Sequence, residues 1–516
     1  NTNKNLHPNN NNILALNSRP VFTSFRSREK PNEGPTCCAD AVHSREYLMQ
    51  MRHMNVNLCR LMDVSYLLPP YHPVITLAAP VIAFQRAGVM GLRRSYTHFK
   101  PIYRMVVQDP LTMAQDDVIN PLVSGLTPSK TIEVHALTKA LQAQGENIVS
   151  LCVGEPDFPP PQSVLDATIE AVKNLDVKYT AVTGSLPLRR AICADLSRRK
   201  GTDYAPEQVV VGNGAKQEVY QAVLALCRPG DEVVVPAPYW TSYPEIVKLA
   251  GATPVLVESS AEEEYLLTPE KLRAALTPRT RMIIFCNPSN PTGAVHEKQH
   301  LNALAEVLGK PENKDIWVLS DEIYERLVYD CEHVSFAALP GFKDRTIIVN
   351  GFSKSHAMTG YRLGYMAGPP AVVKAVTTVQ GQLTSCASSL AQAAGVAALK
   401  VPDEELQESI DLMKKKRDFV MEKLRSLPGV KCPEPKGAFY VLPDISSYFG
   451  KRTPAGEIIK DDTAFCIFLL KEFKTAFVPG EGFGSKGTVR ISYAASFEEI
   501  EAALNQFSAC LASLED

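Results

Sequence analysis

The chain has 516 residues, 45% of them hydrophobic and 21% charged, with a formal net charge of −2 at pH 7. That is the composition of a soluble globular protein long enough for two or more domains, and the near-neutral balance argues against nucleic acid as the main partner. No apolar run approaches the roughly 20 residues that cross a bilayer, and the nearest, Pro73 to Phe84, is short and interrupted by prolines.

Residues 1 to 110 open on an Asn-rich tract, Asn9 to Asn12, and carry 13 Lys and Arg against 6 Asp and Glu. An Arg-bearing, acid-poor, weakly periodic stretch has the composition of an organelle transit peptide, and a disordered cytosolic tail is the plainer alternative. A leader over residues 1 to 115 is the expectation, with Met54 or Met62 as candidate starts because the chain begins at Asn1. Twelve cysteines are scattered without paired spacing, three of them (Cys37, Cys38, Cys59) in the leader. With no C-x-x-C and no accompanying His cluster, neither zinc nor a disulfide scaffold is expected, and Cys152, Cys193, Cys227, Cys286 and Cys466 read as small hydrophobes within apolar stretches.

From about residue 116 the texture alternates. The strand run "QVVVGN" leads into a helical "GAKQEVYQAVLALC", the turn "RPGD", the strand "EVVVPAP" and a helix through "SYPEIVKLAG". The strands "ATPVLVES", "RMIIFCNP", "DIWVLSDE" and "RTIIVNGFS" follow, separated by segments of helix length. Buried β-branched runs alternating with helices predict an α/β fold, a mainly parallel, doubly wound sheet covered on both faces. In such sheets ligands bind beyond the carboxyl ends of the strands. The long charged helix of "VPDEELQESIDLMKKKRDFVMEKLRSL" then leads to a stretch punctuated by Gly437, Pro443 and Pro479. The reading is a large domain over 164–402 and a smaller α+β domain built from 116–163 and 403–516.

Several strand ends carry chemistry. In "IIVNGFSKSHAMTGYRLGY" a β-branched run ends in Ser-Lys at Lys354, and Arg362 follows eight residues later. A lysine attacks a carbonyl only as the free base, so it needs a desolvated, cation-rich setting, and pyridoxal phosphate chemistry is the obvious use. At "LSDEIYERLVY", Asp321 ends a buried run, and a buried carboxylate wants a cation such as a protonated pyridine nitrogen. Three residues on, Tyr324 would project from the same side of a helical turn toward the cofactor's phenolic oxygen; a helix N-cap at Asp321 with Tyr324 in the core is the structural alternative. "FCNPSNPTG" must turn at its two Asn-Pro steps and offers the Asn290 amide to the same oxygen. At "VVVGNGAKQ" glycines precede a helix whose N-terminal amides suit a phosphate, and Lys216 in the first turn, unfavourable against the macrodipole, suggests an anionic partner unless it is simply exposed. The dinucleotide alternative lacks its third glycine, since Gly212-x-Gly214 is followed by Gln217. Trp240, one of two tryptophans, stands just past a strand end where its ring suits stacking on a planar cofactor, or core packing.

Taken in order, "NPSNPTG", "SDEIY", "SKSHAMTGYRLGY" and "TVRISYA" resemble the fold type I pyridoxal-phosphate aminotransferases of the aspartate aminotransferase class, over roughly residues 116 to 516. With "VGEPDF", "KYTAVTGSLPLRRAI" and "GAKQ" the chain is most similar to the prokaryotic-type branch, whose plant members are plastid aspartate/prephenate aminotransferases. The resemblance implies pyridoxal 5'-phosphate as cofactor, with Lys354 as the lysine that bonds to it and shuttles protons. It implies Ser353, Arg362 and the backbone amides of Gly214 and Ala215 at the phosphate, Asp321 at the pyridine nitrogen, Tyr324 and Asn290 at the ring oxygen, and Trp240 on the ring. It further implies Arg490 and the Gly154 amide on the substrate α-carboxylate, Lys216 on a distal carboxylate, and Thr131 in prephenate recognition. Tyr179 would reach the neighbouring subunit's phosphate, so a homodimer with shared sites is implied, in the plastid stroma ahead of the mitochondrion. "GAKQ" departs from many relatives in lacking a serine beside the phosphate. The reaction implied is transamination between aspartate or glutamate and a 2-oxo acid, with prephenate as a further acceptor. Aromatic or alanine aminotransferases and aminocyclopropane-carboxylate synthase are the alternatives within the fold, and a cofactor-binding regulator without turnover is the alternative outside it. No metal is expected.

Overall fold

Short Val- and Ile-rich runs recur along the chain, and in the computed structural model, which describes residues 119–128 and 130–516, they come together as one sheet. The expected leader, with Met54, Met62, Cys37, Cys38 and Cys59, lies outside the described residues. Helices α1 (Pro121–Ser124) and α2 (Lys130–Ala143) precede the two-residue strand β1 (Val149–Ser150), and α3 (Gln162–Lys173) and α4 (Leu186–Lys200) follow it. The alternating region then runs β2 (Val209–Gly212), α5 (Ala215–Leu226), β3 (Glu232–Ala237), α6 (Ser242–Leu249), β4 (Thr253–Glu258), α7 (Pro269–Ala275) and β5 (Thr280–Cys286). It continues through α8 (Lys298–Leu308), β6 (Trp317–Asp321), β7 (Thr346–Gly351) and β8 (Gly364–Ala367). Helices α9 (Pro370–Leu383), α10 (Ser389–Ala398) and α11 (Asp403–Arg425) lead to β9 (Tyr440–Val441), α12 (Asp462–Phe473), β10 (Thr475–Ala476), β11 (Val478–Pro479), β12 (Val489–Ser492) and α13 (Phe497–Ala512).

The seven-stranded sheet has the order β2-β8-β7-β6-β5-β3-β4. Strands β3, β4, β5, β6 and β7 are mutually parallel, while β8 runs antiparallel to both of its neighbours, β2 and β7. Each of the six expected strand runs holds one of these strands; β8 was not expected. All six residues of β7 are buried, as the covered interior of a doubly wound sheet requires. Edge strand β4 exposes Thr253, Leu256 and Glu258 and buries only Val257. Successive side chains point to opposite faces: Val233, Val235, Ile284, Leu319, Ile347 and Val349 pack against α5, α6 and α9 on one side. Val234, Ile283, Phe285 and Val318 pack against α7 and α8 on the other.

Two small sheets are separate from this one. Strand β1 pairs in parallel with β10, so residues near 150 join residues near 475. Strands β11, β12 and β9 form an antiparallel triplet. They share a core with α11 and α13 in which Met413, Val420, Ile491, Leu504 and Phe507 are all essentially inaccessible. The nine cysteines of the described residues are all free. Among the described residues one cluster has metal-like spacing, Glu322, Glu325 and His333. The buried Lys200 ammonium already pairs with both of its carboxylates.

Candidate active site

Because β3, β5, β6 and β7 run the same way, their carboxyl ends share one edge, and a cavity of about 640 Å3 opens there. Lys354 comes from the turn after β7, Asp321 from the last position of β6, Trp240 from the turn after β3, and Asn290 from the turn after β5. Both Asn-Pro steps of that last turn are cis. Gly154, Ala215, Lys216, Tyr324, Ser353, Arg362 and Arg490 also face the cavity. The sequence-predicted residues thus converge from segments up to several hundred positions apart.

Lys354 Nζ donates to the Gly154 carbonyl at 2.5 Å. Its pKa is pushed down to about 8, by burial first and by the Arg490 charge second, with Arg362 adding to the effect. At neutral to mildly basic pH a usable fraction of this amine is therefore free base, the state a nucleophile or proton acceptor needs.

Asp321 is 4% exposed. Burial pushes its pKa up to about 6, against a hydrogen bond from the Tyr243 hydroxyl to Oδ2 at 2.7 Å and one from the Ile323 backbone N–H to Oδ1 at 3.2 Å. No helix follows it; residues 323–326 form a turn, so Asp321 is not a helix cap. Tyr324 does lie in the core cluster and also lines the cavity, its hydroxyl 2.9 Å from that of Tyr440.

Gly214 sits at φ 92° as the residue before α5, a conformation that L side chains rarely adopt. A Cβ there would also collide with the Arg362 guanidinium, so the missing side chain is what lets Arg362 lie against the amino end of α5. Lys216 Nζ lies 4.7 Å over the Trp240 ring, and its pKa is lowered, by partial burial first and by Arg362 second. The α5 amides and Arg362 make a positive pocket suited to a dianion, with the Lys216 ammonium beside it over Trp240.

Arg490, on β12, is 3% exposed and sandwiched between Tyr440 at 4.7 Å and Phe483 at 4.9 Å. Its Nη1 donates to Asn290 Oδ1 at 3.2 Å and its Nη2 to the Cys152 carbonyl. Nε has no hydrogen-bond partner. Gly154 approaches so closely that a Cβ on it would strike the Tyr440 hydroxyl.

Two expected residues stand apart. Tyr179 is 91% exposed and does not line the cavity of its own chain. Thr131 falls in α2, and its side chain lies outside the described residues. Among the cavity residues that the sequence did not point to are Tyr243, Cys286 and Tyr440. Tyr243 carried a signal, standing three residues after Trp240 at the start of a helix; the other two carried none.

The donor set fits pyridoxal phosphate. A buried carboxylate, a lysine of lowered proton affinity, an arginine-lined amide cradle emptied of a Cβ and an indole beside it answer in turn to a ring nitrogen, a carbonyl carbon, a phosphate and a planar ring. The pattern of the family described as aminotransferase class I and II matches residues 146–507, and the chain belongs to that family, whose members depend on pyridoxal phosphate. An aspartate aminotransferase of Pinus pinaster is 43% identical over 401 residues, covering 77% of this chain and 81% of its own. A bifunctional aspartate aminotransferase and glutamate/aspartate-prephenate aminotransferase of Petunia hybrida is 41% identical over 416 residues, covering 80% and 86%. The crystal structure of the Rhizobium meliloti aspartate aminotransferase superposes with a TM-score of 0.75 at 41% identity, covering 77% of this chain and 99% of that one.

Proposed function

We propose that the protein is a pyridoxal-phosphate-dependent aminotransferase that moves the amino group between aspartate or glutamate and a 2-oxo acid, with prephenate as a further acceptor. The observation that carries this reading is the meeting, in the lining of one cavity, of a desolvated Lys354, a buried Asp321 and a buried Arg490. When bound, the cofactor supplies a carbonyl carbon that takes up the amino group and a ring that draws electrons from the reacting carbon. Lys354 Nζ would hold the cofactor and, as a free base, would take the α-proton and hand it back. Asp321 holds the proton on the ring nitrogen, and Tyr324 and Asn290 hydrogen-bond the ring oxygen. Ser353, Arg362 and the Gly214 and Ala215 amides bind the phosphate.

Arg490 and the Gly154 amide fix the α-carboxylate and so aim the α-proton at Lys354, the proximity contribution to rate. Lys216 takes the distal carboxylate of a dicarboxylic substrate, and Thr131 contributes to prephenate recognition. We read residues 164–402 as the large cofactor-binding domain, with 116–163 and 403–516 as the smaller one. The protein acts as a homodimer: Leu175, Val177 and Tyr179 are 73%, 60% and 91% exposed between α3 and α4, an apolar stretch that a second copy would cover. In that dimer Tyr179 serves the phosphate of the other subunit's site. Similarity to the pine and petunia enzymes, together with the basic, acid-poor stretch over residues 1 to 110, supports delivery to the plastid.

Borohydride reduction of the holoenzyme followed by peptide mass spectrometry should find the cofactor on Lys354, and a label on Lys216 instead overturns the assignment. Aspartate should donate to both 2-oxoglutarate and prephenate. Lys216→Ala should raise KM for aspartate and glutamate about tenfold or more while leaving alanine nearly unchanged, since alanine lacks the contact. An equal change across the three donors removes the distal-carboxylate role.

A further inference from the structure

Asp321 is almost wholly buried in the wall of the cavity, and what surrounds its carboxylate decides whether it stays charged. Facing it are the Tyr243 hydroxyl from α6, the Cys286 thiol at the end of β5, Glu322 next in the chain and Lys354 from the turn after β7. Burial keeps the Cys286 thiol neutral, and Glu322 works against a second negative charge. Of the influences that favour the carboxylate, the Tyr243 hydrogen bond is the largest, ahead of the Ile323 amide and of Lys354.

Tyr243 is itself 2% exposed. It belongs to the core cluster that also holds Ile246, Val247 and Ala250, and the Trp240 indole meets its ring edge-on at 5.3 Å. A single turn of chain therefore presents the indole to the cavity and delivers a fixed hydroxyl behind Asp321.

We propose that Tyr243 is a positioning residue of the transamination: by donating to Asp321 Oδ2 it keeps that carboxylate ionised and turned so that it can hold the proton of the cofactor's ring nitrogen. The proposal rests on the reading that Asp321 meets that nitrogen. Between a carboxylate and a pyridine one proton is shared, and a donor on the carboxylate side pushes it toward the ring. Without the hydroxyl the proton shifts to Asp321, the ring loses positive charge, and its pull on electrons at the reacting carbon weakens. Lys354, bonded to the same ring system, then becomes more basic.

The test uses the holoenzyme, Tyr243→Phe, Asp321→Asn and the double variant, and reads the pH midpoint of the bound cofactor's visible absorbance change. Tyr243→Phe keeps the ring and its packing, and should move the midpoint up by about one pH unit, the size of a tenfold change in equilibrium. It should lower kcat about tenfold with KM for aspartate nearly unchanged, and weaken cofactor binding to the cofactor-free protein. Tyr243→3-fluorotyrosine, a stronger donor of nearly the same shape, should move the midpoint down and serves if the phenylalanine variant does not fold. In the Asp321→Asn background Tyr243→Phe should add no further shift. A midpoint moved by Asp321→Asn but by neither Tyr243 variant overturns the proposal, as does an undiminished Tyr243→Phe shift in the Asp321→Asn background. A midpoint that Asp321→Asn leaves alone removes the reading of Asp321 itself, and the proposal with it.

Discussion

A lysine that must act as a base has a pH window set by its surroundings. The pKa of Lys354 is lowered from the ordinary 10.5 to about 8, so the folded protein favours the neutral amine. Its contribution to stability is complete above the unfolded value and is lost as the pH falls through about 8. Stopped-flow absorbance should accordingly show the cofactor-free protein capturing pyridoxal phosphate faster as the pH rises through about 8, then levelling; a climb that continues to 10.5 would mean a solvated ammonium. Gly154 makes a second, purely steric point. Gly154→Ala should cut kcat/KM at least about tenfold, because its Cβ must displace the Tyr440 hydroxyl and with it the Tyr324 pair. The nearest ring carbon stands 3.3 Å from that Cβ, so adding Tyr440→Phe should relieve the clash and recover part of the loss. Steady-state kinetics of the single and double variants decide it.

Helix α13 shows how an element far from the chemistry supports it. Ser496 accepts from the Glu499 N–H at 3.2 Å while Glu499 Oε2 accepts from the Ser496 N–H at 3.0 Å, a reciprocal cap at the start of the helix. The helix packs Ile500, Leu504 and Phe507 against the core that carries β12 and Arg490. Ser496→Ala should cost about 1 kcal/mol in urea unfolding without changing KM for aspartate at 25 °C. At this scale the sequence was informative wherever a strand is buried on both faces, since burial on both sides leaves an uninterrupted apolar run, as in β6 and β7. Strand β8 escaped notice because "GYMA" is four residues long, begins with glycine and has no β-branched run; its antiparallel place between β2 and β7 is a tertiary fact. The cavity residues were legible for the same reason as the strands that end in them. Tyr440 was not, because its partner Tyr324 stands 116 positions away and only folding brings the two hydroxyls together.

For the whole molecule, the stretch before residue 112 should be dispensable: a chain beginning there is expected to be soluble, dimeric and fully active by gel filtration and turnover. Loss of activity would make residues 1 to 110 part of the enzyme. Shared sites predict complementation. Tyr179→Ala homodimers should bind cofactor weakly and Lys354→Ala homodimers should not turn over. Dimers holding one chain of each should regain one working site, with activity above the sum of the parents; additive mixing would mean that Tyr179 serves no neighbouring site.

The bond from Arg490 to the Cys152 carbonyl spans 338 positions. During synthesis from the amino end, every other residue of the cavity has left the ribosome before Arg490 is made. Gly214, Arg362, Asp321 and Lys354 are thus all present in a growing chain that still lacks Arg490, whose charge is the second cause of the lowered Lys354 pKa. Lys354 therefore reaches its full free-base fraction only once the carboxyl-terminal segment that carries Arg490 has been made and folded.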